Sequence, residues 1–454
     1  MSPSTHRLTS KGQCEQLAAP PDKQVETDGP KWSWISALVG VLYPLRMRNY
    51  RLLFIGQLIS NIGDAFYVVA LPWFMLSSGG GVQALGVVLA AYGIPRVAGV
   101  LLGGPLSDRL RPRRLMLLTD SVRALLTGIL AVLVLQGHPP LWLLCVISAF
   151  LGAFSGLFTP AAWSITPDVL SDEDLQAGNA LTTSSLQIAL FVGSAIAGIV
   201  VSRFQSGIAF VIDALSFVVS AFTLAAMHNG RGLAQVHHRA DEQEALSVSV
   251  AGIKEADAPQ SPMTFWQLMR TSRYLRILLI MVIFMNMGNG GAFGVALPEL
   301  AHSVLRSGAS GYGTMLAAFS IGAFAGALVA GTLGKIPRMR MLALSFFLVQ
   351  ACAVTFVPFA GSVVAASCAL AVGGVMNGLG NVTSGTLIQQ ALPRHLMGRF
   401  MGALAFANFG SYPLSAGLAS IVVAHYGPIP IFLISESLII GPCIFGLFQR
   451  EFQQ

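Results

Sequence analysis

The feature that most constrains this chain is a recurrence of apolar runs, each about long enough to cross a bilayer as a helix. Twelve are delimited by charged, Gly-rich or Pro-containing breaks: 51–76, 83–105, 113–136, 140–165, 176–203, 207–228, 273–300, 309–334, 339–360, 362–390, 397–425 and 428–449. A soluble domain has no place for so many uninterrupted apolar helices. Composition agrees: 54% of the 454 residues are hydrophobic and 10% are charged, against about 25% charged in a soluble protein. The fold expected is an all-α membrane protein of twelve transmembrane helices in two pseudo-symmetric six-helix halves. The first 30 residues hold no apolar signal-peptide core, so the first span is expected to direct insertion itself.

Lysine and arginine placement sets the expected orientation. All 27 except Arg96, Arg123, Arg203 and Arg306 fall in segments sharing one side if both termini are cytoplasmic. The formal charge of +7 therefore needs no nucleic-acid partner. The organisation expected is a cytoplasmic tail over 1–48, a first half over 49–228, a cytoplasmic linker over 229–272 with a short helix from Thr264, and a second half over 273–450. In the tail, Trp32, Ile35, Leu38, Val39 and Leu42 share one helical face, which fits either an interfacial helix or a loosely ordered tail. The halves read as copies: Gly99, Gly104 and Leu106 align with Gly326, Gly331 and Leu333. The five cysteines are scattered without metal or disulfide spacing.

Charges inside apolar spans are expensive, so each marks a candidate site. Gln57, Asn61 and Asp64 follow i, i+4, i+7 spacing, one polar stripe that must face protein or water. Asp64 and Arg96 fall at similar depth on consecutive spans, which suggests an ion pair. Either a proton or a cationic substrate group displaces Arg96, or the pair is permanent and fixes two helices. Glu436, without a sequence partner, is either held protonated against a neighbouring helix or a second proton site. Asp213 suits a hydrogen-bonded packing role, and Asp120 with Arg123 a local pair joined to the adjoining charged loop. In the second half Asn286, Asn289, Asn377, Asn381, Ser384, Asn408, Ser411 and Ser415 recur at helical spacing. With Phe74, Trp163, Phe293 and Phe406 they suit a cavity for an amphipathic molecule, or simply glue helices together. No catalytic constellation and no phosphate-binding G-x-x-x-x-G-K-[ST] loop is present, so neither an enzyme nor an ATP-driven pump is expected, and no cofactor.

The stretch "GGPLSDRLRPRRLMLLTD" at 103–120 resembles the loop between helices 2 and 3 of the major facilitator superfamily, with Gly104, Leu106, Asp108, Arg109 and Arg113 matching. Arg111 and Pro112 replace the later Gly and Arg of that pattern. "GQLISNIGDAFYVVALPW", "FTPAAWSITPDVLSDEDLQAGNAL", "FVIDALSF" and "GYGTMLAAFSIGA" are similar to the branch holding macrolide efflux proteins and the enterobactin exporter, so the resemblance covers roughly 45–445. In the fifth span the antiporter signature is reduced to Gly193-Ser194-Ala195-Ile196-Ala197-Gly198, lacking its proline and one glycine. The resemblance implies a monomeric, multi-pass exporter in the cell membrane that moves an amphipathic small molecule against inward protons by alternating access. It also implies a latch of Gly104, Asp108, Arg109, Arg113, Asp120 and Arg123. Asp108 would dock on a helix N-terminus of the other half, and the arginines on acids such as Asp168 or Glu173. A uniporter, a lipid-like flippase and a non-transporting sensor on the same scaffold stay open alternatives.

Overall fold

A computed structural model describes residues 42–137, 139–228, 270, 273–332, 338–392 and 394–449. The tail up to residue 41, with most of the anticipated interfacial helix, and nearly all of the 229–272 linker lie outside the described residues. What is described is helical almost throughout. After a 3-10 turn at Tyr43–Arg46 come α1 (Arg48–Ser77), α2 (Gly81–Leu110), α3 (Pro112–Gln136) and α4 (Leu141–Val169). The next helix, Asp172–Ala226, runs for 55 residues. The second half has α7, beginning at Arg273–Gly291, then α8 (Gly308–Thr332), α9 (Met339–Thr355), α10 (Val363–Ala391), α11 (Arg394–Tyr426) and α12 (Ile429–Leu447). Helix ends follow local chemistry. Pro112 opens α3, where its missing N–H costs nothing, and Ser362 caps α10 by accepting the Ala365 N–H at 3.2 Å.

A straight helix of 55 residues would be about 80 Å long, more than twice the apolar thickness of a bilayer. It is not straight. Gln205, with φ 71° and ψ 163°, breaks it into α5 (172–204) and α6 (206–226). Both arms return along α1. A Cβ built on Gly193 would lie 2.6 Å from the Ala65 Cβ, and one on Gly63 would lie 2.7 Å from Asp213 Oδ1. The outer ends of the two arms meet at the start of α1. There the Tyr50 hydroxyl donates to the Gly178 carbonyl (2.8 Å), and Asn49 Oδ1 accepts the His228 N–H (3.1 Å). Eleven described helices are long and apolar enough to cross a membrane, and this hairpin makes twelve crossings. Spans ended within a few residues of their expected positions, except that α7 continues through π-helical turns at Ala292–Ala296 and Leu300–Val304.

The repeat seen in sequence reappears as packing. Gly99 of α2 lies against α4, where a Cβ would sit 2.3 Å from the Ala153 carbonyl oxygen. Its counterpart Gly326 of α8 lies against α10, 2.0 Å from that of Val375. Only glycine admits such backbone approach. The halves then meet through two matching contacts. A Cβ on Gly198 of α5 would lie 2.8 Å from the Ala309 oxygen of α8, and one on Gly93 of α2 would lie 2.6 Å from the Pro413 Cβ of α11. Shifting by six helices turns one contact into the other. Both lie towards the face carrying the α1–α2 and α7–α8 turns, where Trp73 also meets His302 at 5.4 Å between ring centroids. We call this the far face and the opposite one the terminal face. Leu101, Leu102, Trp142, Phe222, Val364 and Leu414 point outward, a surface suited to hydrocarbon.

Candidate functional site

Asp64 sits midway along α1, and its carboxylate is 39% exposed to a cavity of about 480 Å³ between the halves. Its partner is not the expected one. Arg123 Nη2 of α3 donates to Asp64 Oδ1 at 2.5 Å, while Arg96 makes no ion pair with any described residue. The reason is helix adjacency. α1 packs chiefly on the α5–α6 hairpin rather than on its chain neighbour α2, so equal depth on consecutive spans does not bring Arg96 to Asp64. Asn61 lines the same cavity, whereas Gln57 of the same stripe is half-buried outside it.

Four helices hold Arg123, whose side chain is 5% exposed. Asp64 comes from α1, Asp120 from α3 (3.7 Å), and Phe217 of α6 and Phe158 of α4 place their rings 3.9 and 5.7 Å from the guanidinium carbon. Asp120 is itself fully buried and accepts the Ser220 hydroxyl at 2.6 Å. Asp120 and Arg123 thus form the local pair expected of them, set within a buried cluster of the first half. Asp213 lines the narrow cleft beneath it with Tyr67, Tyr92 and Thr127. Its Oδ1 has no hydrogen-bond partner among the described residues. Three carboxylates thus gather around one guanidinium in the first half, which offsets the cost of burying it.

Arg113 donates to the Leu224 carbonyl (Nε, 2.8 Å) and the Ala225 carbonyl (Nη2, 2.9 Å), so it caps the C-terminus of α6. Arg109 is exposed, and Gly104 faces open space, so no close approach demands a glycine there. The Asp108 side chain lies outside the described residues.

In the second half the asparagines converge as their spacing suggested. Asn286, Asn289, Asn377, Asn381, Ser384 and Asn408 line a second cavity of about 250 Å³ between α7, α9, α10 and α11. Asn286 Nδ2 donates to Asn408 Oδ1 at 2.7 Å, and Asn381 Nδ2 to Asn377 Oδ1 at 2.9 Å. Asn377 Nδ2 in turn donates to Gln350 of α9 at 3.0 Å. Asn286 and Asn408 also border the central cavity. Ser415 acts as glue, its hydroxyl donating to the Met287 carbonyl of α7. Of the four aromatic residues expected in the cavity, only Phe293 lines it. Phe74 is buried in the core, and Trp163 and Phe406 are exposed away from both cavities because they lie on the outer faces of α4 and α11. Glu436 is fully buried in α12, outside both cavities, with no hydrogen-bond partner for either oxygen among the described residues.

Several wall residues were not anticipated: Tyr67, Tyr92, Tyr312, Phe409, Tyr412 and, in the second cavity, Arg340. One signal for them existed. Tyr92 lies one turn before Arg96, and Phe409 and Tyr412 extend the Asn408 face of α11. The cavity is a polar-flecked apolar chamber at the seam of two pseudo-symmetric halves, a place where a small molecule can be surrounded by both.

Comparison with known proteins places this geometry. The family model described as "Major Facilitator Superfamily" matches residues 53–446. The multidrug efflux pump Tap of Mycolicibacterium fortuitum is 24% identical over 385 residues, 81% of this chain and 87% of that protein. Two other relatives align over less than half their length. The uncharacterized MFS-type transporter YvqJ of Bacillus subtilis is 23% identical over 38% of this chain and 42% of its own. Macrolide efflux protein A of Streptococcus pyogenes is 22% identical over 37% and 42%. Among solved structures, a variant of the nucleoside transporter NupG superposes with a TM-score of 0.67 at 12% identity, covering 88% of this chain and all of that one.

Proposed function

The chain belongs to the Major Facilitator Superfamily, and from that premise we propose that it is a secondary active exporter of an amphipathic small molecule, driven by inward protons. The observation that carries this reading is the Asp64–Arg123 pair, whose carboxylate opens onto the cavity between the halves while its guanidinium stays buried. A charge pair at that depth is costly, and one facing a chamber is where a proton can exchange with the chamber's contents. Protonating Asp64 releases Arg123 towards Asp120; losing the proton restores the pair. Substrate is held by Asn61, Asn286 and Asn408 within walls of Phe293, Tyr312 and Tyr412. Glu436, buried and without a hydrogen-bond partner among the described residues, is kept as a second proton site.

The glycine contacts between the halves support a reading of alternating access. With the halves joined at the far face, rocking them apart there and together at the terminal face carries the cavity from one side to the other. The latch residues Gly104, Asp108, Arg109 and Arg113 act in the opposite arrangement, when the terminal ends close. By the lysine and arginine bias the terminal face is cytoplasmic, both termini with it, in the cell membrane. The working unit is the monomer, two halves over 49–228 and 273–450 joined by the 229–272 linker.

Export is tested by comparing the compounds released by cells with and without the chain. A compound that accumulates outside only when the chain is present supports export. Identical release, together with binding of cell-derived compounds to the purified protein, favours the sensor.

A further inference from the structure

Among the described residues that line the central cavity, one charge has no ion-pair partner, and it is positive. Asp64, the carboxylate on its wall, is tied to Arg123 at 2.5 Å. Arg96, on the same wall, forms no ion pair among the described residues, and its buried Nε has no hydrogen-bond partner. Among the described residues it faces two π systems: the ring of Phe409, across the seam in α11, at 4.7 Å from the guanidinium carbon, and that of Tyr92 at 5.8 Å. A guanidinium cannot discharge itself by losing its proton, and aromatic faces replace only part of its lost hydration. A half-buried cation in that state can take a planar anion, for which its forked donors are shaped.

We propose that Arg96 is the anchor for a carboxylate on the transported molecule, so that the substrate class is an amphipathic acid, with an apolar or aromatic body and one carboxylate. The body lies along Leu71, Leu89, Phe293, Tyr312 and Leu316, and the carboxylate takes the Nε and Nη donors of Arg96. This replaces the earlier expectation that a cationic group competes for Asp64, because Arg123 already holds that carboxylate. Drawing Arg96 off Phe409 also alters a contact that spans the two halves, so an acid occupies the site and loosens the seam in one step. The proposal rests on the cavity being the substrate site.

The test is an equilibrium titration by calorimetry of the purified full-length protein in lipid nanodiscs. The probes are naphthylacetate and its neutral near-isostere naphthylacetamide. A charge-assisted pair in this setting is expected to favour the acid by about tenfold or more. Arg96→Gln is expected to reduce acid binding to the level of the amide and leave amide binding unchanged, and Arg96→Lys to keep part of the preference. Equal affinity for acid and amide in the unaltered protein, including no binding of either, overturns the proposal. So does an Arg96→Gln variant that weakens both alike, the sign of a residue that only braces the seam. Should that variant not fold, phenylglyoxal labelling at Arg96 of the unaltered protein decides: slowed by naphthylacetate and not by the amide if the anchor is real, slowed by neither or both alike if it is not. No gradient enters the titration, so loss of acid preference removes the anchor without touching proton coupling. Flux that ignores a gradient has the converse effect.

Discussion

Arg123 holds the buried charge cluster of the first half together. Replacing it with alanine leaves Asp120, fully buried, and Asp64 without their cation, and breaking a buried pair from one side costs about 3 to 5 kcal/mol. Arg123→Ala is expected to lower the melting temperature of the detergent-solubilised protein sharply, and Arg123→Lys to recover part of the loss. An unchanged melting temperature would mean that the cluster carries no structural weight. The sequence showed both ends of this pair as charges in apolar spans, but it joined Asp64 to the wrong arginine. Depth along a helix is readable from spacing. Which helices touch is not, because it depends on how the α5–α6 hairpin folds back over α1. The asparagines were legible for the opposite reason: the spacing within each of α7, α10 and α11 needs no knowledge of neighbours to place one polar face.

At the scale of elements, the glycines separate packing within a half from packing between halves. Gly99 is wedged against the Ala153 carbonyl inside the first half, so Gly99→Val is expected to abolish folded protein, read as loss of a monodisperse elution peak. Gly313 of α8 meets α5 across the seam, where a Cβ would lie 2.4 Å from the Ser194 carbonyl oxygen. Gly313→Val is expected to fold and to push the far ends apart, seen as a longer spin-label distance between residues 73 and 302. An unchanged distance would remove α5–α8 as a closure. The turn at Gln205 gives a third expectation. Its backbone lies in a region that glycine alone tolerates, at a cost of order 1 to 3 kcal/mol, so Gln205→Gly should stabilise by about 1 kcal/mol and raise the melting temperature. The chain's own marking of this turn was weak, a short polar interval around Arg203, yet it sufficed to divide the fifth span from the sixth. The π-helical turns of α7 had no marking at all beyond Pro298, since a wider helix leaves the apolar pattern unchanged.

Across the whole molecule, the two halves enclose a chamber that neither could form alone, with the charge cluster on the first side and the amide network on the second. The repeat and the charge bias made this division readable before any coordinates. The closed far face did not follow from them, because one sequence must support both ends of the transport cycle. The central claim is that Asp64 couples protons to movement through that chamber. It is tested most directly in proteoliposomes under an imposed pH gradient, using a compound identified by the export comparison. The account predicts uptake into the acidic lumen that collapses when the gradient is dissipated, and an Asp64→Asn protein that still exchanges substrate across the membrane but no longer responds to the gradient. Flux that persists unchanged without the gradient, or an Asp64→Asn protein as gradient-driven as the unaltered one, would contradict it.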